Sequence, residues 1–243
     1  MVPVLISYFG PWACKTGGVC LRPLPLHLPL QETACAPEVM ARRNAVLKRA
    51  MDIIVALALL VLLAVPMLLV AAAIRLTSPG PAMFSQDRIG LHGHRFRMLK
   101  FRTMRQQACI CTGPCRQVTR HDPRVTWLGA LLRQTSFDEL PQLLNVLQGS
   151  MSIVGPRPHA PGTCAAGRPF ETITPRYAAR HRVKPGMTGL AQVRGWRGET
   201  DTEEKFLRRV DSDLEYIASW SPWRDLAIIG RTAVAVLRMR NAY

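Results

Sequence analysis

The chain has 243 residues and a formal net charge of +16, from 32 Lys and Arg against 16 Asp and Glu. Its hydrophobic content of 48% excludes wholesale disorder, and its length suits one or two compact domains. The charge favours an anionic partner, which could be nucleic acid, an anionic lipid surface or a phosphate-bearing substrate. The seven cysteines are odd in number and irregularly spaced, which argues against a secreted disulfide framework and favours a reducing, cytoplasmic setting.

The N-terminal part of the chain divides into two segments. Residues 1–40 are rich in proline and lack sustained periodicity, so we expect a poorly ordered extension or a start codon placed too early. Residues 41–75 form a basic lead-in and a membrane segment, because Ile53–Ile74 contains no charged or strongly polar side chain. As a helix this apolar run would measure roughly 33 Å, about the thickness of the bilayer hydrocarbon.

Basic residues flank the apolar segment on both sides. Those before it are Arg42, Arg43, Lys48 and Arg49, and those after it are Arg75, Arg88, Arg95, Arg97, Lys100 and Arg102. Because positive flanks tend to stay in the cytoplasm, neither end is expected to cross. Pro66 removes a helix hydrogen bond, so we predict a helix–break–helix hairpin that enters and leaves by one membrane face. The alternative is an ordinary kinked span.

Residues 76–243 are predicted to form a compact domain that follows the membrane segment, and the chain as a whole is predicted to be α+β, mostly helical with a small β component. Leu76–Met104 alternates apolar and basic residues, which predicts short strands or a hairpin. The helical patterns further along the chain are Trp127–Gln134, Glu203–Ser219 and roughly Trp223–Arg240.

Two adjacent carboxylates, Asp138 and Glu139, stand in the stretch "TSFDELPQLLNVLQGSMSIVGPRP". Ser136 and Glu139 have capping-box spacing, so the pair could simply begin a helix. Pro141 makes that interpretation awkward, because its nitrogen could not donate to a carbonyl one helical turn earlier. A helix that begins nearer Asp138 or Glu139 avoids the conflict and puts the carboxylates at a helix end that favours phosphates.

Arginines flank this acidic pair. Arg133 precedes Asp138 by about one and a half helical turns, and Arg157 stands between two prolines that restrict its backbone. A carboxylate beside positioned guanidinium groups suits phosphate chemistry, because it can attack phosphorus and form an acyl phosphate. Its neighbour Glu139 can hold Mg²⁺, which prefers hard oxygen ligands. The alternative interpretation is a surface ion-pair network.

Other candidate side chains give weaker signals. A possible zinc site consists of three cysteines and one histidine: Cys109, Cys111, Cys115 and His121. Their spacing is unusual for zinc, so ordinary loop thiols are the favoured interpretation. His159 follows the Pro-Arg-Pro segment and could contact substrate, although its chemistry alone does not select it. A basic run predicts a phosphate-facing loop, a lipid-facing patch or a solvated face: Arg180, His181, Arg182 and Lys184.

These motifs, in this order, resemble the bacterial sugar transferase family, the monotopic phosphoglycosyl transferases that load a sugar phosphate onto a polyprenyl phosphate. The resemblance covers about Arg43–Tyr243 and includes "KRAMDI", "SPGPAMFSQDRIG", "FRMLKFRTM", "VKPGMTGLAQV" and the run from "DPRVTW" to "VGPRP". The segments "PRPHA", "GWRGETDT" and "NAY" are similar to the undecaprenyl-phosphate glucose phosphotransferase branch. That branch uses UDP-glucose to start exopolysaccharide assembly.

The resemblance implies that residues 76–243 are a compact cytoplasmic catalytic domain, the phosphoglycosyl transferase domain, which acts by a ping-pong mechanism at the cytoplasmic face of the bacterial inner membrane. Asp138 would attack the β-phosphate of a UDP-sugar, release UMP and carry the phospho-sugar until undecaprenyl phosphate takes it. Glu139 would hold Mg²⁺. Three basic side chains would bind or contact the phosphates: Arg133, Arg157 and Lys100. The membrane segment would be a re-entrant hairpin that breaks at Pro66.

Several alternatives stay open at this point. After His159 the run "APGTCAAGRP" departs from the glucose branch, so galactose or another hexose stays open as the sugar. Long members of the family carry further membrane helices and a domain before the matching part, so we expect a short form or a fragment of a longer gene. A homo-oligomer is open, and nucleic acid is not an expected partner. The rival hypothesis is a basic, membrane-tethered protein that binds anionic lipid or nucleic acid without chemistry.

Overall fold

The computed structural model describes residues 42–105, 122–196, 198, 200 and 202–237. Over these residues the chain is mostly helical with three small two-stranded sheets, which confirms the coarse α+β prediction. The predicted N-terminal extension and the cysteine cluster with His121 lie outside the described residues.

Helix α1 (Arg42–Thr77) is one continuous helix of 36 residues. Pro66 lies inside it, so the predicted break in the helix at this proline is wrong. Helical geometry tolerates the residue here because the helix loses a single hydrogen bond and can bend at that point. By length and composition Asn44–Thr77 could cross a membrane. Large apolar side chains in its middle are exposed, namely Leu57, Val61, Leu62, Val65, Leu68 and Leu69.

The N-terminal part of α1 is bonded to the folded body through Asp52, which is 4% exposed. Its carboxylate oxygen Oδ1 accepts from the Ser152 hydroxyl at 2.9 Å and from the Ile153 N–H at 3.0 Å. The Lys48 ammonium lies 3.2 Å from Asp52 and 2.8 Å from Asp225. These buried charges are therefore paired, as burial requires, and they fix this end of the helix.

The C-terminal end of α1 is bonded to the same body through Arg102. Its guanidinium donates to the carbonyls of Pro79 at 2.6 Å and Ser78 at 2.8 Å, where the helix has ended. Ile74 packs into an apolar cluster with Ala82, Phe101, Leu128 and Leu132. Both ends of the long helix are thus held by one folded unit, while its middle is exposed.

The strands pair as three small sheets. Strands β1 (Met83–Ile89) and β2 (Arg95–Phe101) form the antiparallel hairpin that the sequence predicts. The other strands are β3 (Ser152–Val154), β4 (Cys164–Ala165), β5 (Arg168–Pro169) and β6 (Gly186–Thr188). Strands β3 and β6 pair in parallel, and β4 pairs with β5 antiparallel.

Over the described residues the shorter α-helices are α2 (Trp127–Thr135), α3 (Gln142–Gln148), α4 (Phe170–Ile173), α5 (Leu190–Val193), α6 (Glu203–Ala218) and α7 (Pro222–Leu237). The three predicted in the sequence are therefore confirmed, the last of them as far as the described residues extend. The main core joins α1 to β2, α3, β3, α6 and α7 through Ala56, Met98, Leu143, Val146, Ile153, Tyr216 and Ile228. Because α1 contributes to this core, the long apolar helix and the rest of the described chain form one packed body.

Two glycines let the backbone segments around β3 and β6 approach closely. A Cβ at Gly186 would lie 2.1 Å from the nitrogen of Gly155, and a Cβ at Gly155 would lie 2.6 Å from the carbonyl oxygen of Lys184. No side chain fits at either position. Gly186 donates its N–H to the carbonyl of Pro156 at 2.9 Å, so this crossing fixes the start of the Pro-Arg-Pro segment.

Candidate active site

The acidic pair lies in a tight turn between α2 and α3. Ser136 ends α2 in the left-handed region, with φ of 62°, and its side chain caps no helix. The capping-box interpretation is therefore excluded. The turn Phe137–Glu139 is a 3₁₀ helix and α3 begins only at Gln142, so the predicted α-helix start at the carboxylates is also wrong. Pro141 precedes the first residue of α3, where its missing N–H costs little.

Glu139 binds two cations that come from distant parts of the chain. The Lys100 ammonium lies 3.0 Å from Oε1 of Glu139. The Arg157 guanidinium donates to both carboxylate oxygens, with 3.1 Å between Nη1 and Oε2. Lys100 belongs to β2 and Arg157 to the Pro-Arg-Pro segment, so one carboxylate joins the strand, the turn and the loop.

Asp138 is 7% exposed. Burial raises the pKa of its carboxyl to about 6, helped by the negative charge of Glu139 and opposed by Lys100, Arg133 and Arg157. Among the described residues no hydrogen bond restrains this carboxylate. It is therefore mostly ionised at neutral pH but poorly solvated, which makes it a stronger base than an exposed aspartate.

Arg133 completes the predicted group. It lies in the last turn of α2, and its Nε donates to the Thr103 hydroxyl at 2.9 Å. Its charge lowers the pKa of Asp138, which places the guanidinium within electrostatic reach of the acidic pair. The structure thus brings together five of the predicted site residues: Lys100, Arg133, Asp138, Glu139 and Arg157.

Arg180 supports Arg157 from behind, and sequence analysis missed this role. It is 2% exposed and donates to the carbonyl of Arg157 at 2.7 Å. Its Nε and Nη2 both donate to Oδ2 of the buried Asp213, at 3.1 and 2.7 Å. The sequence predicted a phosphate-facing, lipid-facing or solvated position for Arg180. All three predictions are wrong for this residue, because its side chain is buried. No local pattern links it to Asp213, which lies on α6.

The side chain of His159, for which substrate contact stays a prediction, is enclosed by other side chains and is 6% exposed. Its ring stacks with Tyr177 and meets the edge of Phe170, with centroids 5.9 and 4.7 Å away. The Arg180 Nη1 lies 2.6 Å from its Nδ1. Burial and the charge of Arg180 hold the pKa of His159 well below its usual range, so the ring is neutral and Nδ1 accepts that bond. Contact with substrate would require the aromatic neighbours to move.

The acidic pair is the part of the site that could hold the predicted Mg²⁺ ion. Within the described part of the chain, no group of three or more His, Cys, Asp or Glu side chains could hold a metal ion. The carboxylates of Asp138 and Glu139 do fit the usual protein share of a Mg²⁺ site, which is one or two carboxylates completed by substrate phosphates and water.

Known proteins resemble this chain over most of its length. A family model described as Bacterial sugar transferase matches residues 43–239. A UDP-glucose:undecaprenyl-phosphate glucose-1-phosphate transferase of Caulobacter vibrioides is 51% identical over 197 residues, which cover 81% of this chain and 72% of that protein. One of the same name from Escherichia coli K12 is 45% identical over 226 residues, 90% of this chain and 47% of that protein. The exopolysaccharide production protein PSS of Rhizobium leguminosarum is 50% identical over 194 residues, which cover 80% of this chain and 96% of that protein.

We predict that Asp138→Asn stabilises the fold above pH 6. The folded-state pKa of Asp138 is raised from 3.8 to about 6, so the ionised carboxylate penalises the fold at higher pH and the penalty fades as pH falls through 6. The gain should be on the order of 2 kcal/mol at pH 8 and should shrink towards pH 4. Thermal unfolding of the purified protein in detergent, at several pH values, measures it.

Asp211→Asn is the matched control, because Asp211 is half exposed in a surface ion pair and should give little change at any pH. A stability difference for Asp138→Asn that is unaffected by pH would contradict the raised pKa.

Proposed function

The chain belongs to the bacterial sugar transferase family, and we propose that it transfers glucose 1-phosphate from UDP-glucose to undecaprenyl phosphate and releases UMP. The names of the similar proteins from Caulobacter and Escherichia support this substrate pair, and the Rhizobium protein supports a role in exopolysaccharide synthesis. The observation that carries the proposal is the buried Asp138 carboxylate beside Glu139, which Lys100 and Arg157 hold by ion pairs.

The proposed reaction has two displacements at one phosphorus atom. In the first, an oxygen of Asp138 attacks the β-phosphorus of UDP-glucose, and the bond from that phosphorus to the bridging oxygen breaks. UMP leaves with the electron pair, and an acyl phosphate links the sugar to the chain. In the second, an oxygen of undecaprenyl phosphate attacks the same phosphorus, the bond to Asp138 breaks and the carboxylate is restored.

The surrounding charges suit a diphosphate substrate. Three cations, Lys100, Arg133 and Arg157, face two carboxylates, so the site carries excess positive charge when both acids are ionised. Fixed cations stabilise negative charge that develops on phosphate oxygens during transfer. Glu139 would hold Mg²⁺ together with the diphosphate. When bound, the ion would neutralise phosphate charge and assist departure of UMP.

We further propose that α1 is re-entrant, with the catalytic body on the cytoplasmic side of the membrane. Asp52 and Arg102 tie the two ends of the helix to the same folded unit, which supports entry and exit by one face. Basic residues on both flanks support the cytoplasmic side. A bend at Pro66, within a continuous helix, would let the exposed apolar middle dip into one leaflet.

Asp138→Asn should abolish UMP release from UDP-glucose and undecaprenyl phosphate, because an amide is a poor nucleophile at phosphorus.

In the unmodified protein the rate of UMP release should fall as pH drops below about 6, where the Asp138 carboxyl becomes protonated. A UMP-release assay on purified protein in detergent or nanodiscs measures both effects, and screening other UDP-sugars tests the preference for glucose.

Asp211→Asn again serves as the control and should leave the rate unchanged. Undiminished turnover by Asp138→Asn would exclude this residue as the nucleophile. If the unmodified protein releases no UMP from any UDP-sugar and instead binds anionic vesicles in a salt-sensitive way, the non-catalytic alternative stands.

The topology proposal predicts that both flanks of α1 react from the same side. Single cysteines at the exposed positions of Val46 and Leu76, in a background without the native cysteines, would be labelled in oriented membrane vesicles with an impermeant maleimide. Both should be modified only from the cytoplasmic side, as should the control Asp211→Cys in the catalytic body. Labelling of the two flanks from opposite sides would show a simple span.

A further inference from the structure

Asn145 makes an unusual pair of hydrogen bonds for a helical side chain. It lies on α3, is 2% exposed, and accepts the N–H of Leu99 on Oδ1 at 2.9 Å. Its Nδ2 donates to the carbonyl of Arg97 at 2.8 Å. These backbone groups belong to β2, whose pairing with β1 is its only strand pairing among the described residues. One amide therefore satisfies two groups on the second edge of β2, as a neighbouring strand would.

This link connects the two elements that bring Lys100 and Glu139 together. Lys100 directly follows Leu99 on β2, and Glu139 lies in the turn just before α3. The Lys100 ammonium lies 3.0 Å from the Glu139 carboxylate. Apolar contacts of Met98 also join β2 to the core, but such contacts are non-directional and permit small shifts. Two directional bonds fix the strand in place along the helix.

We propose that Asn145 is a positioning residue, whose amide holds β2 in register with α3 so that the Lys100 ammonium stands against Glu139 and faces the bound phosphates. The part of this proposal that concerns catalysis rests on the proposed transfer reaction. The structural claim, that Asn145 sets the Lys100–Glu139 contact, does not depend on that reaction.

Removing the amide should impair the reaction through Lys100. Asn145→Ala leaves the Leu99 N–H and the Arg97 carbonyl without their partner, so β2 can shift and carry Lys100 away from Glu139. We expect kcat for UMP release to fall by about tenfold or more, since a misplaced cation loses much of its effect on phosphate charge. In a Lys100→Met background, Asn145→Ala should cause little further loss.

Ser150→Ala is the matched control. The Ser150 hydroxyl accepts from the Asn145 Nδ2 at 3.2 Å and donates to the Asn145 backbone carbonyl at 3.2 Å, so this change removes two neighbouring hydrogen bonds and leaves both bonds to β2 in place. It should keep kcat close to that of the unmodified protein. Losses from Asn145→Ala and Lys100→Met that multiply in the double variant would overturn the proposal, because Asn145 would then act independently of Lys100.

A second test needs no activity. The stability coupling between Lys100 and Glu139 is measured from the unfolding of Lys100→Met, Glu139→Gln and the double variant. This coupling should be lost in the Asn145→Ala background and kept in the Ser150→Ala background. If Asn145→Ala does not fold, Asn145→Gln moves the amide by one methylene away from its two partners on β2, and the Lys100–Glu139 coupling should then be lost as in Asn145→Ala.

The outcomes separate the two proposals. Retained Lys100–Glu139 coupling without the Asn145 amide overturns the positioning role, even when UMP is released normally. Loss of the coupling supports that role even if the unmodified protein releases no UMP, a result that would overturn only the proposed transfer reaction.

Discussion

The ion pairs of Glu139 are the interaction on which the site depends. A carboxylate that is largely removed from water needs a partner, and this half-buried one is paired with Lys100 from a strand and Arg157 from a loop. Neighbouring Asp138 is buried, but no hydrogen bond among the described residues holds it. Two adjacent acids therefore have different environments, and the less restrained one keeps the raised pKa that suits a nucleophile.

The rest of the fold holds β2, the turn that contains Glu139 and the Pro-Arg-Pro segment close enough for Glu139 to join them. Gly155 and Gly186 permit a close backbone crossing just before the Pro-Arg-Pro segment. The buried Arg180–Asp213 pair then fixes the Arg157 carbonyl. On the other side, Asn145 ties β2 to α3. The packing of α1 into the same core puts the proposed phosphate-binding site on the body that carries this candidate membrane helix, where the proposed lipid phosphate would arrive.

Sequence patterns predicted the elements and the charged residues better than their environments. The β1–β2 hairpin and α2 follow from local alternation and amphipathicity, and the acidic pair with its flanking arginines is visible in one stretch of chain. The left-handed Ser136 and the 3₁₀ turn were not predictable, because tertiary contacts decide between two kinds of helical turn. The burial of Arg180 and His159 depends on partners far along the chain. At Pro66 the general rule for proline overestimated the disruption.

The central claim is that Asp138 carries the phospho-sugar, and trapping that intermediate tests it most directly. The purified protein would be mixed with UDP-glucose in the absence of undecaprenyl phosphate and examined by intact-protein and peptide mass spectrometry. We expect a glucose phosphate adduct on the peptide that contains Asp138, removed by hydroxylamine or by adding the lipid phosphate. UMP release and lipid product without any adduct, or an adduct on another residue, would contradict the mechanism.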